Sequence, residues 1–518
     1  MRRTLLFAFA FAFAFIPIAI ALVGVQAALA VTATWTGATS GNWNTGSNWS
    51  GTGGAAPAAG SDLVFPAGAA NLSTNNNIAP GRSFNSITIS GNGYTLAGNS
   101  ITLAAGNLSD TNAAGSNTIS LAMSMAATRT FSVSNASESL TISGVLSGAG
   151  GLTKTSAGTL ILSGANTYGG ATTLNGGILQ ISADNNLGTA PGGATPGQLT
   201  FGGGTLATTA TFTLSSNRGI AFTSTGTINV ASATTLTYGG IAAGAGGLTK
   251  TSAGTLTISG ANTYGGATTI SAGTLKLGAN NSVPSGSALT ATGTFDLAGF
   301  ADTIGSLAGG GTVTDSSATG STLTAGGDNT STTFSGVIQN GSGTVALTKA
   351  GTGTMTLSGA NTYSGATTIS AGTLKLGVNN SVPSGSAVTT TGTFDLAGFA
   401  DTIGSLAGGG TVTDSSATAS TLTAGGDNTS TTFSGIIQNG SGTIALTKAG
   451  TGTMTLSGAN TYSGATTIGA GTLKLGAGNS VPSGSAVTAT GTFDLAGFAD
   501  TIGSLAGGGT VTNSGGAN

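Results

Sequence analysis

GTLTISGANTYGGATTISAGTLKL, residues 254–277, is the stretch on which the fold turns. It returns as GTMTLSGANTYSGATTISAGTLKL at 353–376 and as GTMTLSGANTYSGATTIGAGTLKL at 452–475. A more distant copy, GTLILSGANTYGGATTLNGGILQI, stands at 158–181. Tyr264, Tyr363 and Tyr462 lie 99 residues apart, as do Pro284, Pro383 and Pro482. A fixed long period marks a repeat architecture. Within each copy Thr, Leu, Ile and Lys alternate polar with apolar, the beat of a half-buried strand.

A finer beat runs inside the unit. Gly-Thr pairs begin at Gly254, Gly273, Gly293 and Gly311, with steps of 19, 20 and 18, and 42 residues then remain to Gly353. Taken as two further turns, they make five coils of about 20 residues per unit, a length that suits one turn of a β-helix. Coils pair about 4.8 Å apart, so each unit would add about 24 Å, and some 24 coils would make a rod of about 115 Å. Phe295 and Leu297 share one face of their segment and Thr294 and Asp296 the other. The first pair is assigned to the interior, with Leu256, Ile258, Leu275 and Leu277. Glycines supply the corners.

Composition agrees. The chain has 518 residues, 93 of them Gly, no Cys, no His and only 5% charged side chains. Disorder of that Gly content lacks β-branched and apolar residues, which are abundant here. Without Cys there are no disulfides, thiolate chemistry or Cys-based zinc sites. No basic stripe is present, which argues against nucleic acid as a partner. Arg2 and Arg3, the apolar run 5–25 and the small residues Ala28 and Ala30 read as a signal peptide cleaved before Val31. No later run could span a membrane as a helix. The organisation expected is a signal peptide at 1–30, a Trp-bearing cap and irregular coils at 31–147, the first motif and diverged coils at 148–240, and tandem repeats at 241–518. The last repeat breaks off in mid-unit, so Asn518 is expected to be a truncation point. An open coil there would invite self-association.

The motif resembles the passenger-associated strand repeat of bacterial autotransporters. The likeness rests on Leu347, Thr348 and Lys349, on Gly353 and Thr354, on residues 357–363, on the Gly-Ala-Thr-Thr-Ile run from Gly365, and on Gly372, Thr373 and Leu374. Trp35, Trp43 and Trp49, followed by Asp62 and Phe65, add an N-terminal likeness. The resemblance covers residues 35–518. It implies a right-handed parallel β-helix exported as an autotransporter passenger. The C-terminal barrel that exports many such passengers does not fall within it.

Candidate sites are few. Asp296, Asp302, Asp315 and Asp328 recur with the unit, and clustered carboxylates could cleave polysaccharides. The plainer reading is solvated strand-edge and turn aspartates. Glu138 is the sole glutamate. Gly326, Gly327, Asp328 and Asn329 resemble a calcium turn, but a turn repeating every 99 residues cannot share ions as nine-residue calcium rolls do. Asn361 and Tyr363, with Tyr168, Tyr264 and Tyr462, could form a multivalent sugar platform; a packed corner is the simpler reading. The Trp cluster reads as a cap over the first coil. Lys250, Lys349, Lys448, Lys276, Lys375 and Lys474 read as guards of strand edges.

No catalytic, cofactor or metal residue is assigned. The reading is an all-β, right-handed parallel β-helix, secreted or at the bacterial cell surface in association with the outer membrane, acting as an adhesin-like or structural rod without enzymatic activity. Glycans and host or matrix surfaces are its expected partners. A matrix or biofilm component without a defined ligand, or a polysaccharide-acting enzyme, are the alternatives.

Overall fold

The computed structural model describes residues 31–515; the expected signal peptide lies outside them. The chain is a parallel β-helix with three faces. The strands are two to seven residues long, and their inward residues are mostly apolar. Thr255–Ile258 is typical: Leu256 and Ile258 are buried while Thr255 and Thr257 are not. Phe295, Leu297, Leu275 and Leu277 are interior, as their alternation predicts.

The first face runs from Thr32–Trp35 through Leu152–Thr155 to Ala242–Ala243. It resumes at Asp302–Ile304 and, from Thr431–Phe433, ends at Thr510–Thr512. The second runs from Ser73–Asn76 to Ser306–Ala308, crosses a bridge between Gly309 and Phe334, and continues through Thr354–Leu357 to Ile436–Ile437. The third joins Arg82–Phe84, Leu146–Ser147, Phe212–Leu214, Val337–Ile338 and Ala400–Ile403.

Coil length is uneven. On the third face Thr255 pairs with Thr274, Thr274 with Thr294, Thr294 with Thr312, and Thr312 with Val337, so successive coils take 19, 20, 18 and 25 residues. The expected five coils of 20 residues are therefore corrected to four and two-thirds coils of about 21. The long coils are those that carry the loops around Asp315 and Asp328. As a result, equivalent strands of successive units occupy different faces. Thr255–Ile258 is on the third, Thr354–Leu357 on the second and Thr453–Leu456 on the first. Each unit advances the rod by about 22 Å and by two-thirds of a turn.

At the N-terminal end Trp49–Ser50 runs antiparallel along Thr32–Trp35 and occupies its otherwise open edge. Trp35, Trp43 and Trp49 are buried, with Trp35 and Trp49 edge to face at 4.9 Å and Trp43 and Trp49 at 5.8 Å. Each indole N–H is satisfied: Trp35 donates to the Asn71 carbonyl (2.7 Å), Trp43 to the Thr74 hydroxyl (2.9 Å) and Trp49 to the Trp43 carbonyl (2.9 Å).

Candidate functional site

The Asn-Thr-Tyr element sits where one face loses its strand for two coils. Between Ala242–Ala243 and Asp302–Ile304 the backbone ladder of the first face is broken. Side chains fill the gap. The Ala242 N–H donates to Asn262 Oδ1 (2.7 Å), and Asn262 Nδ2 donates to the Ser282 carbonyl (2.7 Å). The Val283 N–H then donates to Asp302 Oδ2 (3.1 Å). An amide side chain presents the same acceptor and donor as a peptide unit, so Asn262 stands in for a missing rung. One unit later the break is on the third face, where Asn361 joins the Ile338 N–H to the Ser381 carbonyl (2.8 Å each). Then it is on the second face, where Asn460 joins Ile437 to Ser480 (2.8 and 2.7 Å).

The tyrosines close these corners. Tyr363 is 1% exposed, and its hydroxyl shares a hydrogen bond with Thr367 (2.8 Å), which shares another with Ser386 (2.8 Å). Tyr264 and Tyr462 repeat the arrangement with Thr268 and Thr466. Burial pushes all three phenols up. A buried ring has no face to offer a sugar, so the stacking platform considered from sequence is not what these residues form.

Burial changes the reading of the aspartates. Asp296, Asp302 and Asp315 are not solvated: they are 5%, 1% and 0% exposed. Asp296 does point outward with Thr294, in register with Lys276 and Thr314. It is covered because its carboxylate accepts from the Ala298 and Ser316 N–H groups (3.0 and 2.9 Å) and meets Lys276 Nζ at 3.5 Å. Asp315 accepts from the Ser317 N–H (2.9 Å) and the Ser321 hydroxyl (2.7 Å). Asp302 bonds Val283 through one oxygen and leaves the other unpartnered. Burial raises its pKa to about 7, and that of Asp401 to about 8. Asp296 and Asp302 lie on different faces, so they share no surface on which to act as an acid/base pair. Asp328 is half-buried, and its Oδ1 accepts from the Thr330 N–H and hydroxyl (2.9 and 2.8 Å). Among the described residues no three His, Cys, Asp or Glu side chains gather as a metal site would require.

The lysines also differ from expectation. Lys250, Lys349 and Lys448 are interior, at most 1% exposed, and guard no edge. Lys349 Nζ donates to the carbonyls of Ala350 (2.6 Å), Gly351 (2.9 Å) and Ala371 (3.3 Å). Lys154 and Lys250 make the same three-carbonyl corner, and burial lowers both to about 8. Lys276, Lys375 and Lys474 are the outward set, each facing an aspartate. The interior position agrees with the strand alternation, since Leu347 and Lys349 share a side.

Outside two of the Asn-Tyr corners, those of Asn361 and Asn460, lies a cleft. One, of about 580 Å³, is lined by Thr362, Ser364, Asn380, Pro383, Ser384 and Thr402. Its twin, of about 630 Å³, is lined by Thr461, Ser463, Asn479, Pro482, Ser483 and Thr501.

The Asn-Tyr corners and three-carbonyl lysines fall within four matches to the passenger-associated-transport-repeat, at residues 152–181, 248–277, 347–376 and 446–475. These repeats belong to the autotransporter passenger repeat family. The chain is also 36% identical over 194 residues to the Adhesin BmaC autotransporter of Brucella suis biovar 1 (strain 1330). That match covers 34% of this chain and 5% of the relative, so the chain spans a small part of the relative's length. No solved structure matches the chain. No helix among the described residues is long and apolar enough to cross a membrane.

Proposed function

We propose that the chain is the β-helical rod of a secreted or cell-surface adhesin and that it has no enzymatic activity. The observation that carries this is the passenger repeat in four copies, together with the likeness to an autotransporter adhesin. The surface supports it. On the third face Thr235, Thr255, Thr274, Thr294 and Thr312 form one column in register. Its hydroxyls repeat every 4.8 Å or so. Such a face is nearly uncharged and rich in hydrogen-bonding groups, which suits many weak contacts made together. The buried carboxylates, each engaged by backbone or hydroxyl groups, are placed for structure. Bacteria displaying the chain should attach to matrix-coated or host-cell surfaces more than the same bacteria without it. Equal attachment defeats the adhesive reading. A hydrolytic activity lost on replacing Asp395 and Asp401 together defeats the non-enzymatic one.

A further inference from the structure

The twin clefts occupy equivalent places in successive units, and their chemistry is uniform. Each has hydroxyls, an amide and a proline ring along its walls and no charged side chain. Their volumes fall within the range of small-ligand sites. The walls are held in place. Ser364 is fixed by Asn340, whose Nδ2 donates to its hydroxyl (2.8 Å) and whose Oδ1 accepts from its N–H (3.2 Å). Asn439 holds Ser463 in the same way (2.7 and 3.2 Å). Asn380 and Asn479 both sit at φ 55°, a left-handed conformation that asparagine tolerates. The Asn380 side chain accepts from the Thr402 N–H (3.1 Å), which keeps it against the cleft. In the unit before, Gly265 stands where Ser364 and Ser463 stand, so that place lacks this one hydroxyl.

An uncharged cleft of hydroxyls and amides beside a proline face selects a ligand that is neutral, rich in hydroxyls and carries short apolar faces. Carbohydrate has that chemistry; a charged peptide or a phosphate would lose its hydration without gaining a counter-charge. The unit's two-thirds turn adds a geometric term. The Asn361 cleft lies on the third face and the Asn460 cleft on the second, about 22 Å further along the rod. We propose that the two clefts each bind a neutral oligosaccharide chain and, aimed a third of a turn apart, hold two separate chains on one rod. This rests on the adhesive reading and names its ligand class and valency.

The test is titration calorimetry of the full chain with chitotetraose, cellotetraose and maltotetraose, with a hyaluronan tetrasaccharide as the charged comparison. At least one neutral tetrasaccharide should bind at two sites per chain. Thr362→Trp, at an exposed position inside one cleft, should leave one site; adding Thr461→Trp should leave none. Ser384→Trp with Ser483→Trp, filling the same clefts from the opposite wall, should repeat that loss with an unchanged melting temperature. A soluble polymer of the bound sugar should be cross-linked by the parent chain and only coated by either single variant. Failure of all three neutral sugars to bind, binding unaltered in both double variants, preference for hyaluronan, or cross-linking by a single-cleft variant would each overturn the proposal. The two readings separate cleanly. Attachment of displaying bacteria without tetrasaccharide binding removes the clefts and leaves the adhesin. Tetrasaccharide binding without attachment does the reverse.

Discussion

The N-terminal coils and the tandem units solve the same stacking problem with different residues. Over residues 35–94 the interior is rich in rings: Trp35, Trp43, Trp49, Phe65, Phe84 and Tyr94 are all buried and form a continuous chain of ring contacts. In the units the interior is mainly Leu, Ile and Val. Buried polar groups, Asn361, Lys349 and Asp401 among them, recur there at fixed places in successive units. An end coil has a neighbour on one side only, and large rings cover the exposed side without help from a partner. A coil within a repeat always has neighbours, so its polar side chains can be satisfied by the coils above and below. Aromatic mass supplies stability at the end of the stack, whereas polar rungs specify register inside it.

The sharpest way to break that contrast is to disrupt each interior at one residue. Phe394→Asp should cost about 3–5 kcal/mol, because an unpaired carboxylate enters a dry stack. Trp43→Ala should cost about as much through lost burial and a cavity. The two should differ in reach. Solenoid coils couple to their neighbours only, so hydrogen exchange should rise near the altered coil and stay slow far from it. Loss of protection in residues 347–376 on changing Trp43 would show that the two regions are one cooperative unit.

A smaller effect tests the polar rungs. Asn361→Ala leaves the Ile338 N–H and the Ser381 carbonyl unpaired, for a loss of about 1–3 kcal/mol per buried group. In the N-terminal region Asn117 makes related bonds: it accepts from the Tyr94 N–H (2.8 Å) and donates to the Gly91 carbonyl (2.9 Å) and to the Asp110 carboxylate (2.9 Å). Chemical denaturation of Asn361→Ala and Asn117→Ala should give similar losses if the side chain acts as a rung in both. A negligible loss at Asn361 would refute the role.

The acids give a pH signature. Burial raises Asp302 to about 7 and Asp401 to about 8, and burial followed by the neighbouring Glu138 raises Asp110. For a carboxyl whose folded pKa is raised, the folded state binds more protons. Its stabilisation is therefore full below the ordinary carboxylate pKa of about 4 and is lost as pH rises toward the folded value. Melting temperature should fall between about pH 4 and 8. Asp302→Asn with Asp401→Asn should flatten the fall in the repeats and leave the part due to Asp110. The buried Lys154 and Lys250, lowered to about 8, act in the opposite sense only above that pH. A stability that climbs from pH 4 to 8 would contradict the buried acids. The smallest effect is expected at Thr393→Asp, which faces outward one residue from Phe394 and should change stability by about 0.5 kcal/mol or less. A loss equal to that of Phe394→Asp would reverse the inside and outside of the strand.

Much of this was legible beforehand because strand alternation is local. Leu256, Ile258, Phe295 and Leu297 read as interior from their own neighbours, and they are. Coil count was not, because it depends on where a long loop rejoins the stack. The 25-residue coil between Thr312 and Val337 contains no signal of its own length. Nor was the burial of Asp302 visible: its partner, the Val283 N–H, is 19 residues away and becomes adjacent only once the coils are stacked. The three-carbonyl cradle of Lys349 combines contacts one, two and 22 residues away, and only the last needs the fold.

Copy number in such a chain is an angular setting. Inserting one 99-residue unit lengthens the rod and also rotates everything beyond it by two-thirds of a turn; removing one rotates it the other way. Only changes by three units restore the original aim. Recombination between near-identical copies therefore re-points the distal surface without altering a single contact inside it. Two lineages with identical units in different number would present the same chemistry in different directions.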